Sequence, residues 1–401
     1  MTKWLSIIGM GEDGHTVLSA RARLLLEEAD VIVGSARLLA FLPALKAERM
    51  EWPQPFAAVV ERISPLRGRR TVLLATGDPS NFGVARKIMD FVPFAEIEII
   101  PHLSAFSLAA ARMGWSLPDC DTLTLHGRAA ANLEAFIQPG ARLLVLTADG
   151  STIAEAARRL CTRGFGGSEM TVLENMGSPR EALRSFPANA LAAASFSDLN
   201  TLAIHCIAGA GALHRSRVAG LPDDAFQHDG QLTKRETRAA TLAALAPAPD
   251  QLLWDIGAGC GSVAIEWMRS TRGAEAIAFE QDPARRAMIA ANADALGAPR
   301  LRIVSGEAPQ SLTGQLSPDA VFIGGGLSNP GLFAAAWQAL KTGGAMVANV
   351  VTIEGEALLY DLHAKHGGDL VRMDISQLTT VGRLRALKPR MAVLQWRAVK
   401  P

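Results

Sequence analysis

Cysteine is scarce. The 401-residue chain has four, at Cys120, Cys161, Cys206 and Cys260, with no Cys-x-x-Cys pair. That pattern excludes a zinc ribbon and a disulfide framework, and it fits reduced thiols in a cytosol. Net charge is nearly absent too: 40 Lys and Arg stand against 39 Asp and Glu, leaving +1. A protein that holds nucleic acid through a large positive field is excluded on that balance, and no aromatic-basic surface speaks for RNA. No apolar run reaches the ~18 residues of a membrane span. The first strand begins by Trp4, which leaves no room for a signal peptide. The chain therefore reads as soluble, intracellular and cytoplasmic, with neither nucleic acid nor membrane among its partners.

What the chain does have is apolar bulk and glycine. Apolar residues make up 49%, enough to fill two cores of ~200 residues each. Apolar runs at 4–8, 31–33, 71–75 and 97–100 read as buried strands, with helices over Thr16–Ala29 and Ser104–Met113. Further strands are expected at 122–125, 142–147, 170–174 and 201–207, with a helix at Thr152–Thr162. This alternation predicts an α/β domain with largely parallel pairing. Gly209–Gly230 breaks the rhythm, and the domain boundary falls there.

Beyond it, a helix over Lys234–Leu245 precedes strands at 252–256, 275–280, 301–305, 319–323 and 345–351. Helices at 262–270, 283–296, 330–340 and 356–366 alternate with them, and two closing strands are expected near 369–378 and 390–398. Five βα units ending in an antiparallel pair resemble the S-adenosylmethionine-dependent methyltransferase fold. An architecture alone proves no function.

Two glycine turns close apolar strands, one in each half. A turn without Cβ atoms lets the backbone pass close to a ligand. The second turn, Asp255-Ile-Gly257-Ala258-Gly259-Cys260-Gly261, departs from the dinucleotide fingerprint G-x-G-x-x-G, whose third glycine would fall on Ser262. It suits a ligand with no phosphate to hold. Asp255 then offers a carboxylate to a ligand ammonium, and Glu280, ending the next strand, accepts hydrogen bonds from ribose hydroxyls. Gly306, Glu307 and Ala308, ending the strand after that, lie where an adenine belongs.

The first turn, Gly9-Met-Gly11-Glu-Asp-Gly14, matches G-x-G-x-x-G by letter. The strand after it ends Val31-Ile-Val-Gly-Ser35, with no acid for a ribose, which weakens the dinucleotide reading. A nicotinamide-dependent oxidoreductase would need the residues both turns lack. Thr76-Gly77-Asp78-Pro79 presents an Asp rigidly at a strand end, because proline fixes one φ and glycine allows an unusual one. Pro101-His-Leu-Ser104, Leu125-His126-Gly-Arg128 and Glu174-Asn-Met-Gly-Ser-Pro179 are further polar turns at strand ends.

These residues carry a family resemblance. Residues 1–209 resemble the tetrapyrrole methylases, in the cobalamin-pathway branch called CbiE, through Ile8-Gly-Met-Gly11, Thr76-Gly-Asp-Pro79 with Phe82-Gly83, Leu125-His-Gly-Arg128 and Glu174-Asn175. Residues 219–401 resemble CbiT, a Rossmann-like methyltransferase, through Gly220-Leu-Pro-Asp223, Leu232-Thr-Lys-Arg-Glu236, the turn 255–261, Glu280 and Gly306-Glu-Ala-Pro309. Residues 210–218 link them. A fusion in this order is similar to the decarboxylating precorrin C5,15-methyltransferases. Cys260 stands where CbiT-like turns more often carry Thr, and the first turn lacks a proline common in other tetrapyrrole methylases.

The resemblance implies an α/β protein: a two-lobed tetrapyrrole methylase fold, then a class I methyltransferase domain. It implies S-adenosyl-L-methionine as cofactor of both halves, a precorrin tetrapyrrole as substrate, and assembly into a homo-oligomer. The N-terminal half would methylate C5; the C-terminal half would methylate C15 and release carbon dioxide from the ring C acetate. Gly9, Gly11, Gly77, Asp78, Pro79, Phe82 and Ser104 are the implied cofactor contacts of the first half, and Thr233 joins those of the second.

Methyl transfer from a sulfonium needs alignment more than acid–base groups, and no catalytic triad is evident. A polycarboxylate substrate calls for cations. The candidates are Lys234, Arg235 and Arg238, with 234 and 238 on one helix face, and Arg128 beside His126. Asn349 is expected to border the C-terminal cleft. The remaining histidines have no metal-ligand spacing, so no metal is expected.

Overall fold

The computed structural model describes residues 3–53, 58–191 and 194–401. The chain divides into two compact units, Met1–Ala130 with Pro139–Leu213 and Ala131–Gln138 with His214–Pro401. Each is built on sheets whose central strands are the apolar runs of the sequence.

The first sheet joins β1 (Leu5–Met10), β2 (Val31–Gly34), β3 (Glu48–Glu51), β4 (Thr71–Thr76) and β5 (Ile97–Ile100), all parallel, in the order β3-β2-β4-β1-β5. Residues Leu5, Ile7, Val31, Val33 and Leu73 pack on one face. Ile8, Met10, Ile32, Val72 and Leu74 pack on the other. Burial on both faces explains why these strands are unbroken apolar runs. β3 was not expected: its Glu-Arg-Met-Glu sequence is an exposed, charged edge strand, which carries no apolar signal.

The second lobe differs from the expectation of largely parallel pairing. It joins β6 (Asp121–Thr124), β7 (Arg142–Leu146), β8 (Glu169–Glu174), β9 (Ala182–Pro187) and β10 (Asn200–His205) in the order β6-β7-β10-β8-β9. Only β6 and β7 pair in parallel; the other three pairings are antiparallel. β9 returns from β8 through a short turn with no crossover helix, and such a return forces the antiparallel sense. β9 is half exposed on the sheet edge, so its sequence reads as loop.

The C-terminal unit carries β11 (Leu252–Ile256), β12 (Glu275–Phe279), β13 (Arg302–Val304), β14 (Ala320–Ile323), β15 (Ala345–Val350), β16 (Asp369–Met373) and, later in the chain, β19 (Val393–Val399). Their order is β13-β12-β11-β14-β15-β19-β16, with β19 antiparallel to both neighbours. Helix Pro283–Leu296 shows how local chemistry sets bounds: Asp282 caps the N–H groups of Ala284 and Arg285, and Gly297 ends the helix at a left-handed φ of 85°.

The closing strands, expected at 369–378 and 390–398, are shorter and further apart, at Asp369–Met373 and Val393–Val399. Between β16 and β19 stands a separate hairpin, β17 (Ser376–Val381) and β18 (Leu384–Pro389). Val381 pairs with Leu384, so Gly382 and Arg383 form a two-residue turn, with Gly382 at φ 59°. A glycine followed by one residue between β-formers is a hairpin signal.

Candidate active sites

The parallel strands deliver their turns to one edge of the sheet, where open α/β sheets take ligands. In the C-terminal unit three glycines follow β11 with positive φ: Gly257 (70°), Gly259 (59°) and Gly261 (80°). A Cβ on Gly257 would stand 3.0 Å from the backbone nitrogen of Gly325, and one on Gly261 would stand 2.9 Å from Ile289. Gly257 and Ala258 both donate to the carbonyl of Phe279 (3.0 and 3.1 Å), which ties the turn to β12. The Glu280 carboxylate accepts the N–H of Gly259 at 2.8 Å and that of Asp282 at 3.0 Å.

Behind the turn, Asp255 is buried. Its Oδ2 accepts the Ala264 N–H at 3.0 Å, while its Oδ1 has no hydrogen-bond partner among the described residues. Burial, with the charge of Glu280 adding to it, pushes this carboxyl up to about 7. An unpartnered buried carboxylate oxygen beside an acidic neighbour is a place for a cation.

In front of the turn lies a cavity of about 1050 Å³. Of the expected residues it is lined by Gly257, Ala258, Gly259 and Glu280, by Gly306, Glu307 and Ala308, and by Thr233, Lys234 and Asn349. Asp255, Cys260 and Gly261 do not line it. Cys260 turns into the core, where burial raises its thiol to about 11.

The sequence reading missed Gly324–Gly326, which follow β14 and line the cavity; three glycines after an apolar strand were a usable signal. It also missed Lys388 and Arg390, which the unexpected hairpin brings to the rim.

Arg238 requires correction. Expected on a substrate-facing helix face with Lys234, it is fully buried. Its Nε donates to Glu266 at 2.7 Å and its Nη1 to Asp223 at 3.2 Å, and it also bonds the carbonyls of Thr233 and Leu221. Glu266, itself buried, accepts the N–H groups of Gly220 (2.6 Å) and Leu221 (2.9 Å). The Gly220–Asp223 motif is thus pinned by a buried ion pair, and Arg238 is structural. Arg235 does not line the cavity either.

In the first lobe, the turns after β1, β4 and β5 meet backbone to backbone. A Cβ on Gly9 would collide with the Gly77 carbonyl oxygen and lie 2.7 Å from the His102 nitrogen. Gly77 (φ 63°) donates to the Met10 carbonyl at 3.0 Å. Gly11 sits beside Asp13 and His102. Asp78 accepts both the N–H (2.9 Å) and the hydroxyl (2.6 Å) of Ser80, and Pro79 packs under Gly83. Ser104 caps helix Ala105–Met113.

Phe82 (φ 54°) stands edge-on to Phe106 at 5.8 Å, with the Arg128 guanidinium 5.7 Å from its ring. His126 is exposed. Gly9, Gly11 and Gly14 lead into a short 3-10 turn, His15–Val17; a dinucleotide site would need a helix N-terminus there. Glu174 is structural, accepting from Arg184 and from the Ser197 N–H.

The family described as Tetrapyrrole (Corrin/Porphyrin) Methylases matches residues 5–192, and that described as Precorrin methyltransferase domain matches residues 224–400. A relative from Sinorhizobium sp, "Precorrin-6Y C(5,15)-methyltransferase [decarboxylating]", is 44% identical over 99% of this chain and 96% of its own length. The chain belongs to that methyltransferase family.

Each half also has a relative of its own in Salmonella typhimurium. "Cobalt-precorrin-7 C(5)-methyltransferase" is 28% identical over 47% of this chain and 92% of its own length. "Cobalt-precorrin-6B C(15)-methyltransferase (decarboxylating)" is 33% identical over 40% of this chain and 85% of its own length. The chain is a methyltransferase, and no helix among its described residues is long and apolar enough to cross a membrane.

Two measurements check these assignments. Arg238→Ala leaves buried Glu266 without its guanidinium, so urea unfolding of the full chain is expected to show a loss of roughly 3–5 kcal/mol; a loss within about 0.5 kcal/mol removes the structural role. Asp255 titrates near 7 when folded and near ~3.9 when unfolded. Folded chains therefore hold a proton that unfolded chains release, and stability declines as pH rises from about 4 to 7. Asp255→Asn is expected to flatten that part of the slope in urea midpoints; an unchanged slope assigns it elsewhere.

Proposed function

We propose that both units are S-adenosyl-L-methionine-dependent methyltransferases acting on one precorrin. Residues 1–209 methylate C5; residues 219–401, joined by the linker 210–218, methylate C15 and release carbon dioxide from the ring C acetate. The observation that carries this reading is the division of charge around the C-terminal cavity. Glu280 and Glu307 line it at the strand ends, with Arg285 beside Glu280 and paired to Asp229. Lys234 lines it at a helix N-terminus, whereas Lys388 and Arg390, the latter paired to Glu236, line it from the hairpin.

The acidic side fits the cofactor. Asp255, behind the turn and not at the cavity wall, would reach the ammonium through water from its unpartnered oxygen. Glu280 would take the ribose hydroxyls, and Gly306–Ala308 would border the adenine. At Gly257 and Gly259 a Cβ would crowd the Gly325 backbone and the Gln231 carbonyl, so glycine keeps this wall closed. Thr233 stands at the same wall. Bound there, S-adenosylmethionine supplies a methyl group already activated by its sulfonium.

The chain's own work is alignment and exclusion of water. Met373, Ile375, Met391 and Val393 form an apolar wall of the cavity, which strips water from the acetate before its C–C bond breaks and the electrons enter the conjugated macrocycle. The basic side holds the other carboxylates.

In the first unit, Gly9, Gly11, Gly77–Pro79, Phe82 and Ser104 would hold a second cofactor, with Arg128 and His126 toward the substrate. The free cysteines suit a cytosolic enzyme. Exposed Leu378, Val381, Leu384 and Leu387 on the hairpin support a homo-oligomer. Charge there, as in Leu384→Glu with Leu387→Glu, is expected to give a smaller particle in sedimentation; an unchanged mass overturns that role.

Incubation with the cofactor and precorrin-6B, read by mass spectrometry, tests the main reading. Wild type is expected to add two methyl groups and remove one carbon dioxide. Gly9→Ala, whose Cβ has no space, is expected to yield one methyl with carbon dioxide loss intact. Glu280→Ala is expected to abolish that loss. No mass change in the wild type would overturn the assignment.

A further inference from the structure

One buried polar cluster is used by nothing described so far. Asn349 near the end of β15 lines the cavity and is paired in register with Gln395 on β19. Its Nδ2 donates to Thr241 Oγ1 at 2.8 Å. Gln395 Nε2 donates both to Thr241 Oγ1 at 3.1 Å and to Asn349 Oδ1 at 2.9 Å. Thr241 in turn donates its hydroxyl hydrogen to the Thr237 carbonyl at 2.8 Å. Thr241 is fully buried and Gln395 is buried behind Asn349.

Hydrogen-bond accounting fixes the orientation. Thr241 has one hydroxyl hydrogen, and it is spent on the helix carbonyl. Its oxygen can then only accept, so both amides must turn N–H groups toward it. A flipped Asn349 would set its oxygen against the Thr241 oxygen and its nitrogen against the Gln395 nitrogen. Both contacts would be repulsive in a site where an unmade bond costs more than a made one gains. Asn349 is left with one N–H and one lone pair, at a wall it shares with Lys234, Thr237 and Val393.

We infer that Asn349 binds a carboxylate oxygen of the tetrapyrrole through that remaining N–H, and that Thr241 and Gln395 are positioning residues that hold its amide in the donating orientation. The inference rests on the proposed methylation of a precorrin at this cavity. A locked neutral donor contributes direction without the strong charge stabilisation that a lysine would give a carboxylate.

The test measures kcat and KM for the acceptor, and Kd for S-adenosylmethionine by calorimetry, in full-length variants. Asn349→Ala is expected to lower acceptor kcat/KM about tenfold, the size of one neutral hydrogen bond, with cofactor Kd unchanged. Gln395→Met removes both donors to the cluster and is expected to cost nearly as much. Asn349→Ala with Gln395→Met is expected to be no worse than Asn349→Ala alone, because the second residue acts through the first.

Gln395→Glu keeps the shape and serves where the Met variant fails to fold. Its carboxylate cannot donate, so activity is expected to fall at pH 8 and to recover in part toward pH 6, where the protonated acid regains one of the two donors; wild type lacks that extra step. Additive losses, or a Gln395 variant within twofold of wild type at every pH, overturn the inference. Such a result with an active wild type leaves the methyltransferase reading standing. A wild type that leaves precorrin unaltered removes both.

Discussion

Backbone against backbone, with no side chain between, is the contact on which both candidate sites rest. At Gly9 the neighbouring strand's Gly77 carbonyl occupies the space a Cβ would need, and at Gly257 the Gly325 backbone nearly does. These approaches bring successive strand-end turns close enough to form one wall. Everything downstream follows from that closeness: the bonds from Gly257 and Ala258 to Phe279, the Glu280 bond to Gly259, and the opening in front of them. The two units reach the same device on different sheets, one wholly parallel and one closed by antiparallel β19.

The second constraint is charge in a dry place. Asp255 and Glu280 are both buried acids near one turn, and the charge of Glu280 adds to the cost that burial puts on ionising Asp255. Glu280 accepts two backbone N–H groups, from Gly259 and Asp282. Asp255 has one such bond and an unpartnered oxygen, so it is the member that holds a proton near neutrality. A cationic ligand at this wall would reverse the balance and favour the carboxylate. Ligand binding and proton release are therefore linked at this turn.

Much of this was legible because it rests on short-range rules. Glycine turns after apolar runs, an Asp-Pro helix start and a Gly helix stop are local chemistry, and helix Pro283–Leu296 falls where those residues place it. The closing hairpin was missed because its exposed leucines lie outside any buried periodicity, although Gly382 marked the turn. The second lobe was misread because strand sense depends on how the chain returns, which an apolar run does not encode. Those same gaps hid Lys388 and Arg390, since a rim built by a hairpin is invisible until the hairpin is seen.

Lys234 and Arg238 show where periodicity stops being informative. Four residues apart, they belong to one helix face by spacing, yet one lines a cavity and the other is sealed in the core. Lys234 sits at the cap position, before the helix proper begins, so helical spacing does not govern its direction. Arg238 lies one turn in, where Glu266 from the next helix is buried and needs a cation. A buried carboxylate without its partner is costly enough to capture the nearest guanidinium. Arginine suits this role because its planar fork meets Glu266, Asp223 and two carbonyls together. The fate of Arg238 was thus decided by a distant acid, and an acid's burial is a property of the fold.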